Sequence, residues 1–171
     1  MQATGLPVPD PDALAHSAHL IALLRETIAA HGPLPFSAYM ERCLYAPGLG
    51  YYSAGSRKFG AHGDFVTSAE LGPVFARCVA AALAPSLQVL GSGVDWLELG
   101  GGSGAFAEHV LLALAARDAL PARYRMLEPS AELRERQQAR LRERLPENLF
   151  ARLSWIDRPP EQGWRGVLFA N

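Results

Sequence analysis

The sequence predicts an α/β protein built on a parallel sheet, with helices ahead of it. Three observations carry this. From residue 94 onward, short apolar runs alternate with helix-length segments, the order a parallel sheet requires. The first of those runs enters a glycine turn, WLELGGGSG at residues 96–104, that opens directly into a helical segment. Before residue 90, apolar positions recur at helical rather than strand spacing.

Taken in order, residues 1–11 are rich in proline and small side chains and read as a loose arm. Leu14, Leu20, Ile21, Leu24 and Ile28 predict one amphipathic helix over 12–31, ended by Gly32 and Pro33. Ser37 is placed to cap a short helix through Leu44. Residues 46–65 are a long glycine-rich loop, the kind that usually carries function. Its aromatics Tyr51, Tyr52, Phe59 and Phe65 argue against plain disorder. Thr67 and Glu70 form a capping box ahead of a helix over 73–90. Strands follow at 94–99, 123–127, 150–156 and 166–170, with helices over 104–118 and 130–144 between the first three. The chain divides into an arm and helical cap with a ligand-side loop, 1–90, and the first half of a nucleotide-type domain, 91–171.

With 171 residues, about half of them apolar, and a net charge of −1, the composition is that of a globular domain. It makes no electrostatic case for nucleic acid, and no apolar run reaches membrane-spanning length. The N-terminus lacks a signal peptide's basic and apolar regions. Asp10 and Asp12 precede the first arginine, Arg25, which argues against a transit peptide. The expected location is therefore cytoplasmic. Cys43 and Cys78 have no metal-ligand spacing and read as buried free thiols. No metal site is expected.

The glycine turn invites three ligand classes. A phosphate-binding loop needs a lysine after the glycines, and the only lysine is Lys58. A dinucleotide site is compatible with Gly100, Gly102 and Ala105 in a G-x-G-x-x-A pattern and with Glu128 as a ribose acid. S-adenosylmethionine accounts in addition for Glu98, through the pattern acid-x-G-x-G-x-G formed by Glu98, Gly100, Gly102 and Gly104. Its ammonium attracts a carboxylate that would repel a pyrophosphate. Glu128 then accepts from ribose hydroxyls and Asp157 from the adenine amino group.

The stretches GPLPFSAYMERCLYAPGLGYYS (32–53), GDFVTSAELGPVF (63–75), LELGGGSG (97–104) and LFAN (168–171) resemble the MidA-like family of class I S-adenosylmethionine-dependent methyltransferases. The resemblance implies a Rossmann-like domain with strand order 3-2-1-4 in this chain, behind an N-terminal helical cap. It implies methyl transfer to a protein substrate, arginine in mitochondrial members. It places Gly63, Thr67, Ser68 and Asn171 beside the cofactor, and leaves Tyr51 and Tyr52 either walling the acceptor pocket or packing in the interior. His62 reads as a loop residue and not a base. The family's commoner glycine turn has proline and arginine where this chain has Gly101 and Ser103. Its sheet has seven strands in the order 3-2-1-4-5-7-6, so strand 4 is expected to need a further segment or a second copy of the chain at its open edge. A nucleotide-dependent oxidoreductase and a non-catalytic assembly factor that keeps the pocket remain alternatives.

Overall fold

A computed structural model describes residues 8–54 and 68–171. The chain forms two compact units, Met1–Gly55 and Ser56–Asn171. The sequence reading set the boundary at 90. Helix 74–90, which it grouped with the cap, instead belongs to the second unit, where its alanine stripe packs on the first helix of the sheet domain.

In the first unit, helix α1 spans Pro11–His31 and α2 spans Phe36–Tyr45. Asp10 caps α1 by accepting from the Ala13 N–H at 2.7 Å, and Pro11 supplies a preset first turn. Gly32, at φ 82°, closes it. The expected Ser37 cap is not used: α2 begins two residues earlier, at Phe36 after Pro35, with no side-chain cap. The start of the predicted loop is folded. Tyr51 and Tyr52 donate backbone N–H groups to the carbonyls of Cys43 and Leu44, each at 2.8 Å. This return needs Gly50, where a Cβ would stand 2.5 Å from backbone nitrogens of Tyr45 and Ala46. Tyr52 stacks on Tyr45 and meets Tyr51 edge-on.

In the second unit, α3 is Val74–Leu90, β1 Asp95–Leu99, α4 Ala105–Ala115, β2 Arg123–Leu127, α5 Ala131–Arg144, α6 Glu147–Phe150, β3 Leu153–Ile156 and β4 Gly166–Ala170. The four strands are parallel in the order β3-β2-β1-β4, as expected. The short α6, set off by Pro146, occupies the start of the strand predicted from residue 150.

Helices α3, α4 and α5 pack against the sheet face carrying Trp96, Tyr124, Met126 and Phe169. Ala76, Ala80 and Ala84 recur at four-residue spacing, so α3 approaches α4 closely. Phe106 of α4 stacks on Phe169 with centroids 4.0 Å apart. Helix α5 is mostly charged and has one buried stripe, Leu133, Gln137 and Leu141. Cys78 is exposed and Cys43 half-buried, so neither is the buried thiol expected; helix α3 turns its alanines, not Cys78, inward. Among the described residues no helix is long and apolar enough to cross a membrane.

Candidate cofactor site

The site follows from register. Leu99 pairs with Leu127 and Ala170, and Leu127 with Ile156. The next residues, Gly100, Glu128, Asn171 and Asp157, therefore stand at four adjacent strand ends along the carboxyl edge of the sheet. Parallel α/β sheets bind ligands at this edge.

The turn after β1 is held at both ends. Gly100 donates to the Leu127 carbonyl at 3.0 Å, and Gly104 to the Gly101 carbonyl at 2.8 Å. Gly100, Gly102 and Gly104 have φ of 68°, 53° and 82°, the left-handed region in which a side chain is strained. Among the described residues, no hydrogen bond engages the N–H groups of Gly101, Gly102 and Ser103. Three donors are thus free just before α4, whose dipole favours negative charge there.

Gly101 has a different reason to be glycine. A Cβ there would stand 2.2 Å from Met126 Cε, 3.4 Å from Gln137 Nε2 and 3.6 Å from Glu98 Oε2. The space a side chain would take is filled by Met126 beneath, which accounts for glycine at this position. Ser103 donates its hydroxyl to Glu70 and accepts from the Ala105 N–H at 3.3 Å. Glu70 thus serves the glycine turn, and α3 starts at Val74 without a side-chain cap. Thr67, the other half of the expected capping box, lies outside the described residues, as do Lys58, Phe59, His62, Gly63 and Phe65. Ser68 is exposed in the turn that holds Glu70.

Glu98 lies under the turn, only 3% exposed. Its Oε2 accepts from the Tyr124 hydroxyl at 2.9 Å. Among the described residues no cation pairs with it. Burial pushes its carboxyl up to about 7, against the Tyr124 hydrogen bond and with the help of the nearby Glu128 charge.

Glu128 is equally buried. Its Oε1 accepts from the Ser130 N–H at 3.0 Å and its Oε2 from Gln137 Nε2 at 3.3 Å. Burial raises its pKa, opposed by those two hydrogen bonds and by the Arg134 charge. Asp157 and Asn171 are exposed.

Three participants, Tyr124, Glu70 and Gln137, are not marked as site residues by the sequence motifs. Glu70 was read as a cap. Gln137, inside the helix expected over 130–144, is fully buried and donates to the Gly102 carbonyl at 2.9 Å. The legible signal for Gln137 was its place between Leu133 and Leu141, at four-residue spacing on the only buried stripe of α5.

Residues 78–171 match the model of a family described as "Putative S-adenosyl-L-methionine-dependent methyltransferase". The chain is 46% identical to a Burkholderia thailandensis protein whose crystal structure holds S-adenosyl-homocysteine. The TM-score is 0.81, over 97% of this chain and 43% of that one. A native crystal structure from the same organism and superfamily shows 44% identity and a TM-score of 0.76, over 97% and 41% of the two chains. Among curated proteins, two named "Protein arginine methyltransferase NDUFAF7 homolog, mitochondrial" are similar. The one from Caenorhabditis elegans is 37% identical over 57% of this chain and 24% of its own length. The one from Drosophila melanogaster is 36% identical over 62% and 25%. The chain spans about a quarter of the length of these curated relatives. Their names overturn the cytoplasmic location expected from the sequence. That expectation rested on the charge of an N-terminal segment, and targeting segments are separable from the fold.

Proposed function

Since this chain belongs to the S-adenosyl-L-methionine-dependent methyltransferase family, we propose that its carboxyl sheet edge holds S-adenosylmethionine in an enzyme that methylates protein arginine. The observation that carries the cofactor half is Glu98: a buried carboxylate with no cation beside it among the described residues. S-adenosylmethionine brings an α-ammonium that supplies the missing charge. Its carboxylate meets the free N–H groups of the glycine turn. A pyrophosphate would instead put negative charge over a buried acid. In this reading Glu128 accepts from the ribose hydroxyls and Asp157 from the adenine amino group. Asn171, Ser68, Gly63 and Thr67 complete the surround. The bound cofactor supplies an electrophilic methyl on sulfonium, and the protein works chiefly by positioning. The names of the curated relatives support arginine in a protein as the acceptor.

Calorimetric titration with S-adenosylhomocysteine and with NAD tests the cofactor half. The first should bind and the second should not. Gly102→Val should abolish binding without unfolding the protein; a folded variant with unchanged affinity would sink the assignment. Methylarginine detected by mass spectrometry on protein substrates tests the acceptor half. Cofactor binding with methylation confined to other side chains would overturn arginine alone.

A further inference from the structure

Gln137 stands where α5 should bury a leucine. Its neighbours on the buried stripe, Leu133 and Leu141, are apolar, and the rest of the helix, mostly charged, lies outside that stripe. A fully buried amide is costly unless its hydrogen bonds are made. Here three are made. Nε2 donates to the Gly102 carbonyl at 2.9 Å and to Glu128 Oε2 at 3.3 Å, and Oε1 accepts from Trp155 Nε1 at 2.8 Å.

The chemistry of the partners fixes the amide in one orientation. An indole N–H only donates, so Oε1 must face Trp155. A carbonyl and a carboxylate only accept, so Nε2 must face Gly102 and Glu128. The reversed amide would set two donors together at Trp155 and an acceptor against two acceptors at the turn. Trp155, on β3, therefore orients a side chain that ties the end of β1 to the end of β2. The Gly102–Ser103 peptide is trans, so fixing the Gly102 carbonyl toward α5 turns the free Ser103 N–H away from α5.

We infer that Gln137, oriented by Trp155, is a positioning residue that sets the glycine turn and the Glu128 carboxylate in one register for the cofactor. It touches no ligand itself. The inference rests on the cofactor reading above. It adds that the two strand ends act as a unit through one amide.

The test uses Gln137→Met, which keeps the length and apolar volume of the side chain and removes the amide. S-adenosylhomocysteine should bind about tenfold more weakly, the scale of one hydrogen bond to a charged group. Glu128→Ala should weaken binding by itself, and Gln137→Met should cost less in that background than in wild type, because only its hold on the glycine turn is left to lose. The Trp155 indole N–H resonance, assigned by its loss in Trp155→Phe, should shift when wild-type protein binds S-adenosylhomocysteine and no longer shift in Gln137→Met. A purely structural role would not link that resonance to the ligand. Wild-type affinity in a folded Gln137→Met, or full additivity with Glu128→Ala, would overturn the inference. Should Gln137→Met fail to fold, Trp155→Phe keeps the amide but frees its orientation. Several-fold weaker binding then supports the inference, and unchanged affinity overturns it. Failure of the wild type to bind S-adenosylhomocysteine would instead refute the cofactor reading.

Discussion

Strand β1 buries a carboxylate near each end, and the two are treated in opposite ways. Asp95, at the amino edge, is 2% exposed and receives two guanidinium groups. Arg123 makes a forked pair with it at 2.8 and 3.0 Å, and Arg125 a further contact at 2.9 Å. Glu98, at the carboxyl edge, is 3% exposed and receives a phenol. The strand can therefore neutralise a buried acid with its own neighbours, and at one end it does not. Burying a charge without a counter-ion is expensive. In the proposed reading, the acid left without a cation among the described residues is where the ammonium of the ligand would sit, whereas the matched one is part of the scaffold.

Removing the matched acid should give the largest loss of stability. Asp95→Ala strands two guanidinium groups. Breaking a buried pair costs about 3–5 kcal/mol, and the value here should fall near the lower end because Arg123 is 61% exposed. Denaturant titration measures it. Affinity for S-adenosylhomocysteine should change less than twofold in the folded fraction. A stable Asp95→Ala protein that has lost the ligand would show that the two edges cannot be separated.

The unmatched acid should reveal itself through pH. The Glu98 carboxyl rises from the usual 4.5 to about 7 in the folded protein. The native state thus holds a proton that the unfolded chain releases earlier. Its contribution is fully present below pH 4.5 and is lost as pH rises through 7, by about 3 kcal/mol. Glu128, also raised by burial, adds a change of the same sign. Glu98→Gln keeps a partner for Tyr124 and removes the charge. It should flatten the pH dependence and be more stable than wild type above pH 7. Ligand affinity runs the other way: an ammonium needs the ionised form, so wild-type binding should strengthen from pH 6 to 8, and Glu98→Gln should bind weakly with a reduced slope. A wild type whose stability rises with pH over that interval would show that Glu98 has a cationic partner after all.

These contrasts also explain what could be read in advance. The strand order was legible because a parallel sheet follows from alternating apolar runs and helices, and the resemblance supplied the order. Gly100, Glu128, Asp157 and Asn171 were legible as strand ends because each directly follows an apolar run. The partners of the acids were not. Tyr124 and Gln137 lie 26 and 9 residues from the acids they serve, and only sheet register and helix packing bring them together. The capping box at Thr67 and Glu70 was a local pattern whose acid the fold uses elsewhere, since Ser103 lies close enough to donate to it. The boundary at 90 followed the change from helix to strand, but compactness follows packing, and α3 packs on α4.

A smaller effect should come from Gly101, which separates steric need from conformational need inside one turn. Gly101→Ala places a Cβ against Met126 Cε. Overpacking of this kind costs about 1–3 kcal/mol, partly relieved because a methionine tip can move. In a Met126→Ala background the same substitution should cost little, so the double-mutant cycle should show strong coupling. Gly100→Ala meets open space but keeps a φ of 68°, so its cost should be unaffected by Met126→Ala. Equal coupling for both glycines would contradict the packing account of Gly101.

The smallest effect is expected at Ser103, the link between the turn and Glu70. Its hydroxyl donates to that carboxylate and accepts from the Ala105 N–H at 3.3 Å. Ser103→Ala removes both. Glu70 is only half-buried, so water can replace the lost donor and the net cost should be about 0.5–1.5 kcal/mol. Glu70→Gln tests the same link from the other side: a neutral amide oxygen still accepts from Ser103, so the cost should be smaller than for Ser103→Ala. Among the carboxyl-edge acids with neutral donors, Glu70 is the one that water reaches, and it therefore has least need of an outside cation. Glu70→Gln should leave the pH dependence of ligand affinity in place, while Glu98→Gln removes most of it. If Glu70→Gln instead abolished that dependence, the ammonium-binding acid would be Glu70, and the burial of Glu98 would be a feature of the scaffold like that of Asp95.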